Sequence, residues 1–238
     1  MSSDEKTQTM RAWRKVFPEK KVALIEVGRP PVSADGLLLK VLAAGVCHSD
    51  ITILDMEKPT PWQQDAFTMG HECCGEVVSV GHKVTKFRPG DMVSVVCVAG
   101  CDKPACSECM HGSSHICTSP GVQRYGLGQD GAFAPYIAVR ESAAVRVPHG
   151  IEAPMAAVAT DAVLTAYQAV VGRGKVSADE TVLLLGLGGL GFNALQILLH
   201  IGARCIAFDK RQLVLDEAVK FGIALDDVIP AETQDIPQ

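Results

Sequence analysis

The sequence predicts an α/β protein in which a β-rich first domain is followed by a βαβ second domain. From residue 10 to about residue 160, short runs rich in Val and Leu alternate with Gly and Pro. Near Ala157 the apolar residues take a helical spacing, in AVATDAVLTAYQAVV. TVLLLGLGGLGFNALQILLHIGARCIAFDKRQ then has the pattern of strand, glycine turn, helix and strand. We therefore predict domains over residues 1–160 and 161–238.

The strands of the first domain are predicted from KVALIEVG, LLLKVLAAGVC, CGEVVSVG and DMVSVVCV, with a tight turn at FRPGD before the last. In the second domain, the helix after the glycine turn is expected to end at Gly202. A further helix around VLDEAVKFG and a short strand at DDVI follow. The residues predicted to share the buried face of the first helix are Leu190, Ala194, Ile197, Leu198 and Ile201.

Composition and charge exclude several classes of function. The chain has 238 residues, 47% of them hydrophobic, and a net charge of −5, so it offers no basic field for nucleic acid or an anionic membrane. The basic residues near the N-terminus are expected to form a solvated strand face: Arg11, Arg14, Lys15, Lys20 and Lys21. MSSDEKTQT does not resemble a signal peptide, and we expect no apolar run long enough to cross a bilayer. A cytoplasmic protein is predicted.

A glycine-rich turn in the second domain predicts a dinucleotide site. Gly186, Gly188 and Gly191 form G-x-G-x-x-G between a strand and a helix, and Asp209 ends the next strand. Asp209 is expected to accept hydrogen bonds from the adenosine ribose and to favour NAD over NADP, although the adjacent Lys210 works against this discrimination. An ordinary βαβ unit with a glycine turn is the alternative. The candidate cofactor contacts in this unit are Gly186, Gly188, Gly189, Leu190, Gly191, Asp209 and Lys210.

The nine cysteines point to a metal, because disulfides are rare in a reducing compartment. CDKPACSECMHGSSHIC has four thiols on a short loop, which can close a tetrahedral structural zinc site. Free loop thiols are the alternative, and Cys97, His111 or His115 could replace one ligand. We expect Cys73, Cys74 and Cys205 to be buried core residues. The four predicted ligands are Cys101, Cys106, Cys109 and Cys117.

A second group of potential ligands predicts a catalytic zinc site. GVCHSD and GHECCGEVVSVG supply Cys47 and His71 as donors. Asp50 and Glu72 are carboxylates that can orient the histidine through its second ring nitrogen. Each residue alone has an ordinary structural explanation, but together with a dinucleotide fold they indicate a metal-dependent redox site.

These stretches, together with VTKFRPGDMV, DGAFAPYIAV and GLGGLG, resemble the zinc-containing medium-chain alcohol dehydrogenases from Met10 onward. The resemblance implies a β-rich, GroES-like catalytic domain and a Rossmann-type dinucleotide-binding domain. In the family the chain continues after the segment that matches VLDEAVKFGIALDDVIP, so the expected Rossmann domain is truncated. Carried over, Cys47 and His71 match catalytic zinc ligands, and Asp50 and Glu72 match their supporting carboxylates. Ser49 matches the hydroxyl that relays the substrate proton, and His48 matches a pyrophosphate contact.

The third catalytic ligand differs from the pattern of many family members. Asp161 stands where those members have a cysteine, and a carboxylate can also bind zinc with the same formal charge. The proton relay often ends at a histidine that Thr52 replaces here, so that His48 or solvent would complete it. The cysteine loop also differs from the family pattern, because it has two extra residues between its first two cysteines. Of the four predicted ligands, Cys101 is therefore the one that the family pattern supports least.

The resemblance implies hydride transfer between an alcohol, primary or secondary, and NAD. The expected partners are an alcohol and its aldehyde or ketone, with no nucleic acid or membrane. A complete chain is expected to form a homo-oligomer, and the oligomeric state of the 238-residue chain stays open. One alternative is a truncated zinc-binding relative with a non-redox or ligand-binding role, and another is a zinc-free quinone or enoyl reductase.

Overall fold

The computed structural model describes residues 8–230. The chain forms two compact units, residues 1–161 and 162–238, whereas the sequence predicts a boundary after residue 160. The strands of the first unit within the described range are β1 (Thr9–Val16), β2 (Val22–Gly28), β3 (Gly36–Gly45), β4 (Ala66–Thr68), β5 (Glu72–Val80), β6 (Met92–Val95), β7 (Val98–Ala99), β8 (Gln123–Arg124), β9 (Tyr136–Arg140) and β10 (Ala144–Arg146). Its α-helices are α1 (His48–Asp55), α2 (Ser107–Met110) and α3 (Ala153–Val158).

The first unit is built around an antiparallel sheet of five strands in the order β10-β6-β5-β3-β9. Its alternating apolar residues meet in a core that includes Leu37, Leu39, Val77 and Val93. β3 and β5 pair along most of their length and end with Gly45 opposite Glu72. This pairing brings the end of β3, just before Cys47, next to the start of β5, just after His71.

The predicted strand DMVSVVCV is two strands in the structure. Met92–Val95 belongs to the five-stranded sheet, whereas Val98–Ala99 pairs with β8 in a separate ribbon. The Val96 backbone N–H still donates to the Ala143 carbonyl in the register of β10, and from Val98 the chain pairs with β8 instead. The chain therefore changes sheets directly before the cysteine loop.

A second sheet, in the order β2-β1-β4, contains an unexpected buried cation. The side chain of Lys15 is fully buried rather than solvated. Its Nζ donates to the carbonyl oxygens of Glu19, Leu54 (3.0 Å) and Met56 (2.8 Å). Three acceptors offset the loss of water around the ammonium group. Lys15 thereby ties β1 to the C-terminal end of α1.

The apolar helical segment around Asp161 is longer than the sequence analysis expected. Residues Ala153–Arg173 form a helical stretch of 21 residues. An 18-residue window within it has a mean hydropathy of 1.3, and 28% of that window is buried. By length and composition alone it meets the criterion for a membrane span, so the expectation that no segment does so is wrong. A core helix of a soluble protein passes the same test, and the finding is weak evidence for a membrane.

The second unit contains a parallel sheet in the order β11-β12-β13. Its strands and α-helices within the described range are α4 (Leu164–Tyr167), β11 (Thr181–Leu185), α5 (Gly189–Ile201), β12 (Arg204–Asp209), α6 (Gln212–Lys220) and β13 (Val228–Pro230). The predicted order of strand, glycine turn, helix, strand, helix and strand is confirmed. Gly202 ends α5 in the left-handed region, with φ of 88°, as predicted.

The buried face of α5 differs from the prediction at two positions. Ala194 and Leu198 are buried as expected, but Leu190 is 51% exposed. Leu195 is fully buried and was missed. Leu190 lies in the first turn of α5, directly after the glycine turn.

Candidate metal centres and nucleotide groove

Three donor side chains meet in the first unit. One ligand atom each from Cys47, His71 and Asp161 lies within 4.8 Å of the others. His71 Nε2 is 3.2 Å from Asp161 Oδ2, and the His71 side chain is only 2% exposed. Thiolate, imidazole and carboxylate are all zinc ligands, and three protein donors leave a position for substrate. The donor set therefore fits a catalytic zinc ion.

Asp50 connects the backbone of Cys47 to the ring of His71. Its Oδ2 accepts a hydrogen bond from the Cys47 backbone N–H (2.9 Å), which caps α1. Its Oδ1 lies 3.3 Å from His71 Nδ1, and both side chains are almost completely buried. Among the described residues, neither Asp50 Oδ1 nor His71 Nδ1 makes a hydrogen bond of standard geometry. The facing carboxylate directs Nδ1 toward Asp50 and leaves Nε2 for a metal.

The electrostatics of this group favour a cation. Burial lowers the pKa of His71, but the carboxylates of Asp161 and Asp50 outweigh it and raise that pKa to about 11. Without a metal, the imidazolium of His71 thus offsets part of the negative charge of the two carboxylates. A divalent cation can supply that positive charge instead.

Glu72 is buried next to the same group, and Gly45 makes room for it. The Glu72 side chain is among the buried charged groups, with 3% exposure. A Cβ atom placed on Gly45 would lie 1.8 Å from Glu72 Oε2. The strand register explains this, because Gly45 and Glu72 are direct partners in the pairing of β3 and β5. Only a glycine at position 45 leaves the carboxylate where it lies.

Replacing Gly45 with alanine should therefore weaken zinc binding by Cys47 and His71. The new methyl group forces the buried Glu72 carboxylate away from the start of β5, and supporting groups of a metal site typically contribute about 10- to 100-fold in affinity. A competition titration with a chromophoric chelator measures the change. Gly189→Ala is the matched control, since its Cβ meets nothing within 4 Å. Equal zinc affinity in both variants would contradict this assignment.

Ser49 and His48 lie at the exposed start of α1. The Cys47 thiol lies 3.8 Å from Ser49 Oγ, as a weak donor to it. The Thr52 hydroxyl donates to the backbone oxygen of His48 (3.3 Å) rather than toward Ser49. Ser49 is thus beside the donor group, and His48, with an exposed side chain, is one residue from it in sequence.

Cys97 belongs to the neighbourhood of this group and not to the cysteine loop. Cys97 lies two residues after the end of β6, whose last partner in β5 is Cys73, two residues from His71. Burial raises the pKa of the Cys97 thiol, and the charges of His71 and Asp161 also act on it. Within the described residues, Cys97 does not belong to the four-thiol group of the loop.

The four predicted loop thiols form one cluster. Cys101, Cys106, Cys109 and Cys117 each place Sγ within 4.8 Å of the others. The Sγ atoms of Cys106 and Cys117 are 3.5 Å apart, and those of Cys101 and Cys109 are 3.9 Å apart. The two extra residues in the loop do not remove Cys101 from the cluster. Four thiols without an open position suit a structural zinc ion.

The remaining cysteines and the two loop histidines lie outside the two donor groups found among the described residues. All nine cysteines are free thiols, and Cys73, Cys74 and Cys205 are buried as predicted. His111 donates its Nδ1–H to the Ser107 carbonyl (2.7 Å) at the surface. Within the described residues, neither His111 nor His115 belongs to a metal-ligand group.

The glycine turn lies at the edge of an open groove of about 530 Å³ in the second unit. Gly186 has a φ of 90°, and a Cβ on Gly191 would lie 1.9 Å from the Gly186 oxygen, so both positions need glycine. The first backbone amides of α5 follow Gly188 and suit a pyrophosphate. The groove is lined by Leu185, Gly186, Gly188, Phe208, Asp209, Lys210 and Arg211. Of the other two predicted cofactor contacts, Gly189 begins α5 and Leu190 lies in its first turn.

Asp209 ends β12 as predicted, but its carboxylate is already engaged. Its Oδ2 accepts from the Leu187 backbone N–H (2.7 Å), and its Oδ1 accepts from the Arg211 backbone N–H (2.9 Å). The Arg211 guanidinium also bonds both oxygens, through Nε (3.1 Å) and Nη2 (3.2 Å). These bonds to Arg211 hold the pKa of Asp209 well below its usual range. The expected free ribose acceptor is thus an ion pair, and Arg211 was missed from sequence.

The comparisons with known proteins agree with this architecture. Residues 33–149 match the alcohol dehydrogenase GroES-like domain. An uncharacterized zinc-type alcohol dehydrogenase-like protein of Escherichia coli is 32% identical over 224 residues, covering 91% of this chain and 62% of that protein. An NAD-dependent alcohol dehydrogenase of Saccharolobus solfataricus is 34% identical over 239 residues, with 95% and 65% covered.

A solved structure, the acetophenone reductase of Geotrichum candidum in complex with NAD, superposes with a TM-score of 0.85 at 32% identity. It covers 99% of this chain, and this chain covers 66% of it. The chain therefore spans 62% to 66% of the length of these relatives. The matched domain, the two donor groups and the glycine-turn groove agree, and the chain belongs to the zinc-containing medium-chain alcohol dehydrogenase family.

Proposed function

We propose that this protein is an NAD-dependent zinc alcohol dehydrogenase that transfers hydride between a primary or secondary alcohol and NAD. The observation that carries the proposal is the meeting of Cys47, His71 and Asp161 within 4.8 Å, with Asp50 facing the second nitrogen of the histidine. The family and the named activities of the relatives support it. The products are an aldehyde or a ketone.

In this proposal the first unit holds and orients the reacting groups. Cys47, His71 and Asp161 would hold zinc, while Asp50 and Glu72 keep the histidine and the start of β5 in place. Zinc supplies Lewis-acid stabilisation of an alcohol oxygen, and NAD supplies the hydride acceptor. Ser49, whose hydroxyl is exposed beside Cys47, takes the alcohol proton toward solvent or His48.

The second unit would hold the dinucleotide. The backbone amides after Gly188 receive the pyrophosphate, and Leu185 and Phe208 give the groove apolar walls for the adenine ring. Cys101, Cys106, Cys109 and Cys117 would hold a structural zinc ion away from the chemistry. The cytoplasmic location, the homo-oligomeric assembly and the lack of nucleic-acid or membrane partners stay predictions from the sequence.

The test combines metal analysis with turnover of simple alcohols. We expect zinc in both donor groups, and reduction of NAD that depends on the catalytic zinc, followed by absorbance of the reduced nicotinamide. Primary and secondary alcohols of matched size are compared in the same assay. Zinc in the four-thiol loop alone would contradict the catalytic site. Full zinc without any hydride transfer, in a protein extended to the length of its relatives, would favour the ligand-binding alternative.

A further inference from the structure

The adenosine end of the groove carries an ion pair where a free carboxylate was expected. Asp209 is 6% exposed and receives four hydrogen bonds, three of them from Arg211 and one from the Leu187 backbone. A carboxylate has about four acceptor positions, so no position is left over for the ribose hydroxyls. We propose that Arg211 lets this groove also accept a 2′-phosphorylated adenosine ribose, so that the chain binds NADP in addition to the NAD of the proposed function, with comparable or greater affinity.

The charges around the groove support this specificity. Arg211 Nη2 also donates to the Leu187 carbonyl (3.1 Å), which fixes the guanidinium across the carboxylate. The negative charge that would repel a 2′-phosphate is thereby neutralised. Lys210 lines the same groove and leaves one cation in excess over the carboxylate. Arg211 is 52% exposed, so its guanidinium remains accessible to a phosphate oxygen.

A second consequence concerns the unphosphorylated ribose. Its hydroxyl groups would have to share the Asp209 oxygens with Arg211 or displace it, and either costs part of the existing network. A 2′-phosphate instead gains charge-assisted hydrogen bonds from Arg211 and Lys210 without freeing Asp209. The inference rests on the proposed nucleotide groove, which lies entirely within the second unit.

Binding of two cofactor fragments to this chain tests the inference without any hydride transfer. ADP-ribose and 2′-phospho-ADP-ribose differ only in the phosphate, and neither carries nicotinamide. Titration calorimetry at fixed ionic strength should give equal or tighter binding of the phosphorylated fragment. If ADP-ribose binds tenfold tighter or more, the specificity inference is overturned while the groove stands. If neither fragment binds, the groove itself and the proposed function of the second unit are wrong.

Two variants locate the effect. Arg211→Ala should weaken 2′-phospho-ADP-ribose by at least about tenfold and leave ADP-ribose unchanged or tighter, because Asp209 is released. Lys220→Ala is the control, since Lys220 is exposed on α6 and pairs with Glu217 outside the groove. Equal losses for both fragments in Arg211→Ala would show a structural role for the guanidinium and overturn the inference. Retained thermal unfolding of both variants confirms that they are folded.

Discussion

Replacing Asp161 with alanine is expected to remove zinc from the Cys47–His71–Asp161 group and to lower alcohol turnover by at least about 100-fold. Two donors remain, which is too few for a stable catalytic site. The zinc content should fall by about half, because the four-thiol loop keeps its own ion. The Asp161 side chain is 25% exposed, so the fold should lose only about 1 kcal/mol.

Asp161→Cys is the matched variant for this prediction. It restores an anionic donor at the same backbone position and should retain zinc, although thiolate and carboxylate differ in reach. Elemental analysis of dialysed protein gives the stoichiometry for each variant, and the turnover assay gives the activity. Full zinc content in Asp161→Ala would show that the carboxylate is not a ligand.

Replacing Cys109 with serine should unfold the cysteine loop. The small core of this loop consists of Cys101, Cys106, Cys117 and Val122, with Val98 and Cys109 packed against it. So few apolar residues cannot hold a loop of this length without a metal. Losing a structural metal typically costs more than about 4 kcal/mol. Limited proteolysis and hydrogen exchange of residues 101–117 measure the local loss.

Cys205→Ser is the control for the loop variant, since it places a hydroxyl in the buried core of the second unit. We expect it to cost about 1–2 kcal/mol and to leave the loop protected. Chelation of zinc from the unmodified protein should reproduce the exposure seen in Cys109→Ser. An unchanged digestion pattern after complete chelation would argue that the thiols are ordinary core residues.

The second unit was predictable because its signals are local. A strand, a glycine turn and a periodic helix can be found from spacing alone, and the left-handed Gly202 follows from the end of the pattern. The burial of Leu195 in place of Leu190 was not predictable in this way. It depends on which part of α5 the sheet and its neighbouring helices cover, and that is a tertiary property.

The candidate site was also predictable only in part from the sequence. Residue types indicated both zinc groups, because few structures other than metal sites bring such donors together. The charges of His71 and Asp161 act on Cys97, and this proximity between residues distant in sequence is contained in no local pattern. The pairing of Arg211 with Asp209 also depends on backbone geometry around Leu187, on a different strand end. The sequence therefore predicted the donor side chains that meet in the structure and missed the contacts around them.

The burial of Lys15 makes it a chemical reporter of unfolding. Its side chain has no exposed surface and its ammonium group is held by the carbonyl oxygens of Glu19, Leu54 and Met56, so an acylating reagent cannot reach the nitrogen in the folded state. Exposed amines such as Lys20 and Lys220 should react at once. Mass spectrometry of the peptide that carries Lys15 would then measure the fraction of molecules in which β1 has separated from α1.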